Sequence, residues 1–194
     1  MKLTDGKVFH TYNRGNQQQK IFFSEDNYLF FMRKMQSGLL PFCDLLAYCL
    51  MPNHFHWLLR IKSVNEFSET EERMNAEKFS KAAGILLRSY TRAIQRQQIF
   101  TGSLFQQNTQ SKILSDRDDV LTCFNYIHDN PVKAGLAAKA SEWKFSSAAG
   151  YKNTFHTLPC NAPMLYELAD INEKYDVDGY NASMFTPEKI ERIS

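Results

Sequence analysis

No apolar run in this 194-residue chain approaches the roughly 20 residues of a membrane span, and the N-terminus lacks the apolar core of a signal peptide. The four cysteines, Cys43, Cys49, Cys123 and Cys160, form no CxxC pair and no zinc-knuckle spacing, so free and mostly buried thiols are expected. There is no internal repeat, no low-complexity segment and no helicase motif. These absences point to a cytoplasmic protein without a membrane partner. Nor is there much net charge: +2 overall does not by itself announce a nucleic-acid partner.

What is present is ordinary globular composition, with 43% hydrophobic and 23% charged residues, and enough length to bury a full core. The charge is unevenly spread. Residues 76–117 carry seven basic side chains (Lys78, Lys81, Arg88, Arg92, Arg96, Lys112 and Arg117) against Glu77 and Asp116. Residues 164–194 carry three basic against seven acidic ones. A basic middle and an acidic tail are compatible with one phosphate-facing surface, and equally with solvated helix faces.

Residues 7–12 (KVFHTY) alternate as a strand does, and Asn13-Arg14-Gly15-Asn16 supplies turn chemistry after it. Ser24 reads as the N-cap of a helix reaching about Gln36, closed by Gly38. Two apolar runs, 42–51 and 54–61, flank a tight Pro52-Asn53 turn. Residues 77–98 form a long amphipathic helix with Phe79, Ala83, Leu86, Leu87, Tyr90 and Ile94 on one side, and Gly102 breaks it. A short strand at 111–114 and a helix over 116–129, ended by Asn130-Pro131, complete the order. That order suggests an α/β (α+β) ferredoxin-like sandwich with an antiparallel sheet, one extra C-terminal helix and a C-terminal extension. We divide it as residues 1–151, one domain, and 152–194, an appended arm of unassigned role.

His54 and His56 stand two apart in a strand, so they share a face about 7 Å apart along the backbone, with Phe55 and Trp57 on the other side. Such a pair can converge on one divalent ion; two ordinary strand histidines lining a surface would give the same pattern. Tyr126 and Asn130, at i and i+4 of a helix, share a face with about 6 Å between their Cβ atoms. The phenol can serve as a nucleophile and the amide as an oxygen ligand, or the two can be a core aromatic and a helix terminator. His128 falls on another face and is not expected to be a ligand, and Asp129 reads as solvated. His10 and His156 have no evident partner. Arg14 and the row Arg88, Arg92, Arg96 can contact phosphates, or lie on solvated faces.

Five segments occur in order: Tyr12-Asn13-Arg14-Gly15-Asn16; Ile21-Phe22; Tyr48-Cys49-Leu50-Met51-Pro52-Asn53-His54-Phe55-His56; Gly102-Ser103-Leu104-Phe105-Gln106; and Tyr126-Ile127-His128-Asp129-Asn130-Pro131-Val132-Lys133-Ala134-Gly135-Leu136. Together with Trp143-Lys144-Phe145-Ser146-Ser147, they closely resemble the single-tyrosine transposases of the HUH nuclease superfamily, in particular the REP-associated branch, over residues 7–151. The resemblance implies a ferredoxin-like domain, often a homodimer, and a magnesium or manganese ion on His54, His56 and Asn130. It implies Tyr126 as the nucleophile that cuts single-stranded or hairpin DNA through a 5′-phosphotyrosine link, in a protein associated with the bacterial nucleoid. A hairpin-binding protein without cleavage activity is the alternative; the intact set of four residues favours the enzyme. Gln107-Asn108-Thr109-Gln110 departs from the arginine-rich stretch common in that family, so no DNA contact is carried over to this loop.

Overall fold

The computed structural model describes residues 2–63, 72–152, 159–179 and 185–193. Four strands, β1 (Val8–Arg14), β2 (Cys43–Met51), β3 (His54–Ile61) and β4 (Gln110–Leu114), form one sheet in the order β2-β3-β1-β4, with every neighbouring pair antiparallel. Between them run α1 (Glu25–Leu39), after β1, and α2 (Glu72–Gln98), after β3. This is the ferredoxin-like arrangement, and its two crossover helices lie on one face of the sheet. α3 (Arg117–Lys133) covers the other face.

Strand periodicity decides what each layer holds. Phe55, Trp57, Leu59 and Ile61 of β3 point toward α1 and α2, where Phe31, Phe79 and Tyr90 meet them with essentially no exposed surface. The Tyr90 hydroxyl, polar in this apolar layer, donates to the Ile21 carbonyl at 2.7 Å. At the start of α1, the Asn27 side chain accepts from the Phe23 and Ser24 amides at 3.0 and 3.2 Å, so donors that lack helical partners are satisfied. α1 runs past Gly38, which the sequence suggested as its end, because Leu39 still packs into the core. β1 likewise outruns expectation. Arg14, read from sequence as a turn residue, is held in the ladder opposite His54.

α3 differs most from the sequence reading. Pro131 was expected to end it at Asp129, yet the helix continues to Lys133. A proline this close to a C-terminus removes one internal amide bond, and the helix stops two residues later in any case. There the Leu136 amide donates to Pro131 O at 2.9 Å and the Gly135 amide to Val132 O at 3.0 Å, with Gly135 at φ +67°. That is a Schellman closure, which requires the left-handed conformation glycine tolerates. The N-cap is Asp116, whose carboxylate accepts from the Asp119 amide at 2.8 Å.

The described residues beyond 151, set apart from sequence as an arm, pack on α3. Beyond α4 (Ala148–Lys152), helices α5 (Ala162–Ala169) and α6 (Pro187–Ile193) contribute Leu165, Ala169 and Ile193 to the same core as Val120, Cys123, Phe124 and Ile127, and Val177 joins them. Arg192 pairs with Asp116 and Asp119 at 2.7 and 2.9 Å, tying α6 to the first turn of α3. The outer edge of β2 is also covered: the Leu50 amide donates to Phe145 O and the Ser147 amide to Tyr48 O, both at 2.9 Å. No disulfide forms among the four cysteines, and no helix among the described residues is long and apolar enough to cross a membrane.

Candidate active site

In an antiparallel pair, directly opposed residues point to the same face. The β1–β3 register sets Tyr12 opposite His56 and Arg14 opposite His54, and the β1–β4 register sets Gln110 opposite Tyr12. All five therefore lie on the α3 side of the sheet. From α3, Tyr126 and Asn130 descend one turn apart, and the Tyr126 ring lies 5.7 Å from that of His56. The result is one cleft of about 390 Å³ lined by His54, His56, Tyr126, Asn130 and Arg14, with Tyr12, Asn13, Gln106, Asn108 and Gln110 as its further walls. The loop carrying Gln106 is held there by backbone bonds, its amide donating to Arg14 O at 2.9 Å.

Hydrogen bonds fix the chemistry of the histidines. His10, on the same face, is fully buried and places Nδ1 2.5 Å from the Ile193 carbonyl, which can only accept. Burial holds this ring neutral, its pKa pushed down to about 4 despite the carbonyl bond. Its Nε2 is then an acceptor, 2.9 Å from His56 Nδ1, so His56 donates from Nδ1. His56 Nε2 is consequently a lone pair, buried and without a partner among the described residues. Burial holds His56 well below the usual imidazole range, and the neighbouring His10, His54 and Arg14 push the same way. His54 is lowered to about 4, first by burial and further by Arg14, against an opposing contact with Asn130. Its Nδ1 lies 2.7 Å from Asn53 Oδ1.

The Asn130 side-chain nitrogen donates to the Tyr126 carbonyl at 2.7 Å, leaving its oxygen for another partner. Two neutral imidazoles and an amide oxygen fit a divalent cation: they supply electron pairs without cancelling its charge. The orphaned Nε2 of His56 is the observation that favours such an occupant, since a buried polar atom without a partner costs stability. Among the described residues no group of three or more His, Cys, Asp or Glu is placed to hold a metal, and the Asn130 amide lines the same cleft as the two histidines. The Tyr126 phenol is shifted upward, chiefly by burial and further by Cys123 and Tyr12, with Arg14 opposing. Unaided, it is a poor nucleophile. Lys133, paired with the buried Asp129 at 2.7 Å, also stands over the rings of Phe185 and Tyr126 at 4.2 and 5.8 Å. Asp129, read from sequence as solvated, is thus a buried partner of Lys133.

The structure does not bring every candidate together. Arg88, Arg92 and Arg96 lie exposed on α2, in the layer behind the sheet, while Arg14 is at the cleft. His128 is buried against the Ser147 hydroxyl at 2.7 Å and faces away from the cleft. His156 lies outside the described residues. Sequence reasoning passed over His10, Tyr12 and Gln110, although His10, Tyr12 and Arg14 share the two-residue spacing that singled out the histidine pair.

No family model matches the chain. Over 107 residues, 55% of this chain, it is 23% identical to a curated relative from Haemophilus influenzae named for the REP-associated tyrosine transposases, and it spans 59% of that relative's length. Among solved structures, one described as a REP-associated tyrosine transposase bound to a REP hairpin shares its fold. The TM-score is 0.55 at 17% identity, covering 96% of this chain and 92% of the other. In sequence and in fold, this chain resembles the REP-associated tyrosine transposases.

Proposed function

We propose that this protein is a metal-dependent single-strand DNA endonuclease and strand transferase acting on hairpin-containing DNA. The observation that carries this reading is the convergence of His54, His56, Asn130 and Tyr126 in one cleft of one chain. His54, His56 and Asn130 would hold magnesium or manganese, which when bound neutralises charge on the scissile phosphate. Arg14 at the cleft adds a second, permanent positive charge for the same phosphate. The Tyr126 Oη attacks phosphorus; the Oη–P bond forms as the bond from phosphorus to the 3′-oxygen breaks. The phenolic proton is released and the 3′-oxygen takes one up, leaving a 5′-phosphotyrosine and a free 3′-hydroxyl. Because the phosphoester energy is kept in the covalent link, the 3′-hydroxyl of a new end can reverse the step. The hairpin in the structural relative supports hairpin DNA as the substrate class. The histidine pair and the tyrosine line one cleft of the same chain, and in a homodimer each subunit would bring such a cleft.

The test is incubation of labelled single-stranded hairpin oligonucleotides with magnesium or manganese, using the native protein and Tyr126→Phe. A covalent protein–DNA adduct seen only with the native chain supports the reading. Equal hairpin binding by both proteins, with no adduct from either, would favour a hairpin-binding protein that does not cut.

A further inference from the structure

One buried chain of hydrogen bonds runs from the C-terminal helix to the cleft. The Ile193 carbonyl accepts from His10 Nδ1 at 2.5 Å, and His10 Nε2 accepts from His56 Nδ1 at 2.9 Å. The His10 and His56 rings lie roughly parallel, with centroids 5.1 Å apart, and both are nearly free of solvent. The carbonyl has no proton to offer, so His10 donates from Nδ1; as a neutral ring it can then only accept at Nε2, which leaves His56 to donate from Nδ1. A free histidine ring favours the form protonated at Nε2, the form that cannot ligate through that atom. In this chain of bonds His56 is locked in the opposite form.

From this geometry we infer that His10 is a positioning residue for His56: it relays the Ile193 carbonyl to the His56 ring, fixing the proton on Nδ1 and the lone pair of Nε2 toward the metal position. Ligating histidines commonly hold the second ring nitrogen against an outer partner that sets tautomer and orientation. Here that partner is another imidazole, and its own orientation depends on the far end of the chain. The anchor is firm. Ile193 is fully buried, Arg192 is paired with Asp116 and Asp119, Lys189 with Asp118 at 3.3 Å, and Lys112 donates to Glu191 O at 3.0 Å. The acidic first turn of α3 therefore does two things: it favours the helix N-terminus and it docks the segment that presents the carbonyl. The C-terminal helix so acquires a role in the site without entering the cleft.

The inference rests on His56 being a ligand, but its central statement is about a tautomer and can be read in the metal-free protein. Nitrogen-15 imidazole spectra of the full chain, with its five histidines assigned by single substitution, report which nitrogen of His56 carries the proton. The native protein should show His56 protonated at Nδ1. In His10→Phe it should move to Nε2 or to a mixture, and manganese affinity measured by titration should fall roughly ten- to hundred-fold. His10→Gln, whose amide can donate to Ile193 and accept from His56, should keep both close to native. A native His56 protonated at Nε2 would overturn the relay, even if His10→Phe fails to fold. So would a folded His10→Phe unchanged in tautomer and affinity, or a folded His10→Gln that loses as much affinity as His10→Phe. Absence of manganese binding by the native protein would instead sink the metal reading of the cleft, and the tautomer result would still decide the relay.

Discussion

Along β3, His54 and His56 alternate with Phe55 and Trp57, so one strand builds two unlike layers. On the α1/α2 side, Phe55 and Trp57 are fully buried against Phe31, with ring centroids 5.5 and 6.1 Å away, and the layer is closed. On the α3 side, His56 is almost as buried, at 5% exposure, yet its Nε2 has no partner among the described residues and its ring walls a cleft. Burial alone does not separate these faces. What separates them is chemistry and access: the indole N–H of Trp57 also lacks a partner among the described residues, but it is a donor sealed among apolar rings, whereas the imidazole holds an unused electron pair beside a cleft.

That contrast can be broken first on the cleft side. Tyr126→Phe removes the nucleophile and should abolish adduct formation, a loss of at least about 10⁴-fold by gel assay, with hairpin affinity kept. His56→Ala should lower cleavage on the order of a thousandfold, the several kcal/mol attributed to a metal on a phosphoryl oxygen, with the fold intact by circular dichroism. On the closed side the same kind of truncation should act on stability. Trp57→Ala should lose about 3–5 kcal/mol in urea unfolding, the usual cost of emptying a large aromatic site.

Lowering the pH probes the imidazole face as a whole. His10 and His54 are held at about 4 and His128 at about 3, against about 6.5 in an unfolded chain. The unfolded chain takes up these protons first as pH falls, so stability should be undiminished above about 6.5 and decline steadily from there toward 4. Urea midpoints at pH 7.5, 6 and 4.5 measure this. The smallest effect concerns the arginines. Arg14→Gln should weaken hairpin binding and reduce the salt slope by about one, while replacing Arg88, Arg92 and Arg96 with Gln should change cleavage by less than about twofold.

Much of this architecture is legible in the sequence because its signals are local. The two-residue period of β3 exposes the histidine pair, and the helical period of α2 marks Phe79, Ala83, Leu86, Tyr90 and Ile94 as core. The spacing of Tyr126 and Asn130 gives their common face. What stayed hidden depends on distance along the chain. His10 finds its partners 46 and 183 residues away, and no pattern around it announces either. The contribution of the C-terminal segment comes from Leu165, Val177 and Ile193, scattered over pieces too short to show a period. Pro131 misled for the opposite reason: the local rule is sound, but its cost is small in the final turn, where Gly135 already closes the helix.

The measurement that bears most directly on the two-faced sheet is anomalous diffraction from crystals of the native protein soaked in manganese. One strong peak is expected in the cleft, within bonding distance of His56 Nε2, His54 and the Asn130 side-chain oxygen. A fully soaked crystal with no peak there, or with its only ordered peak away from these three side chains, would contradict it.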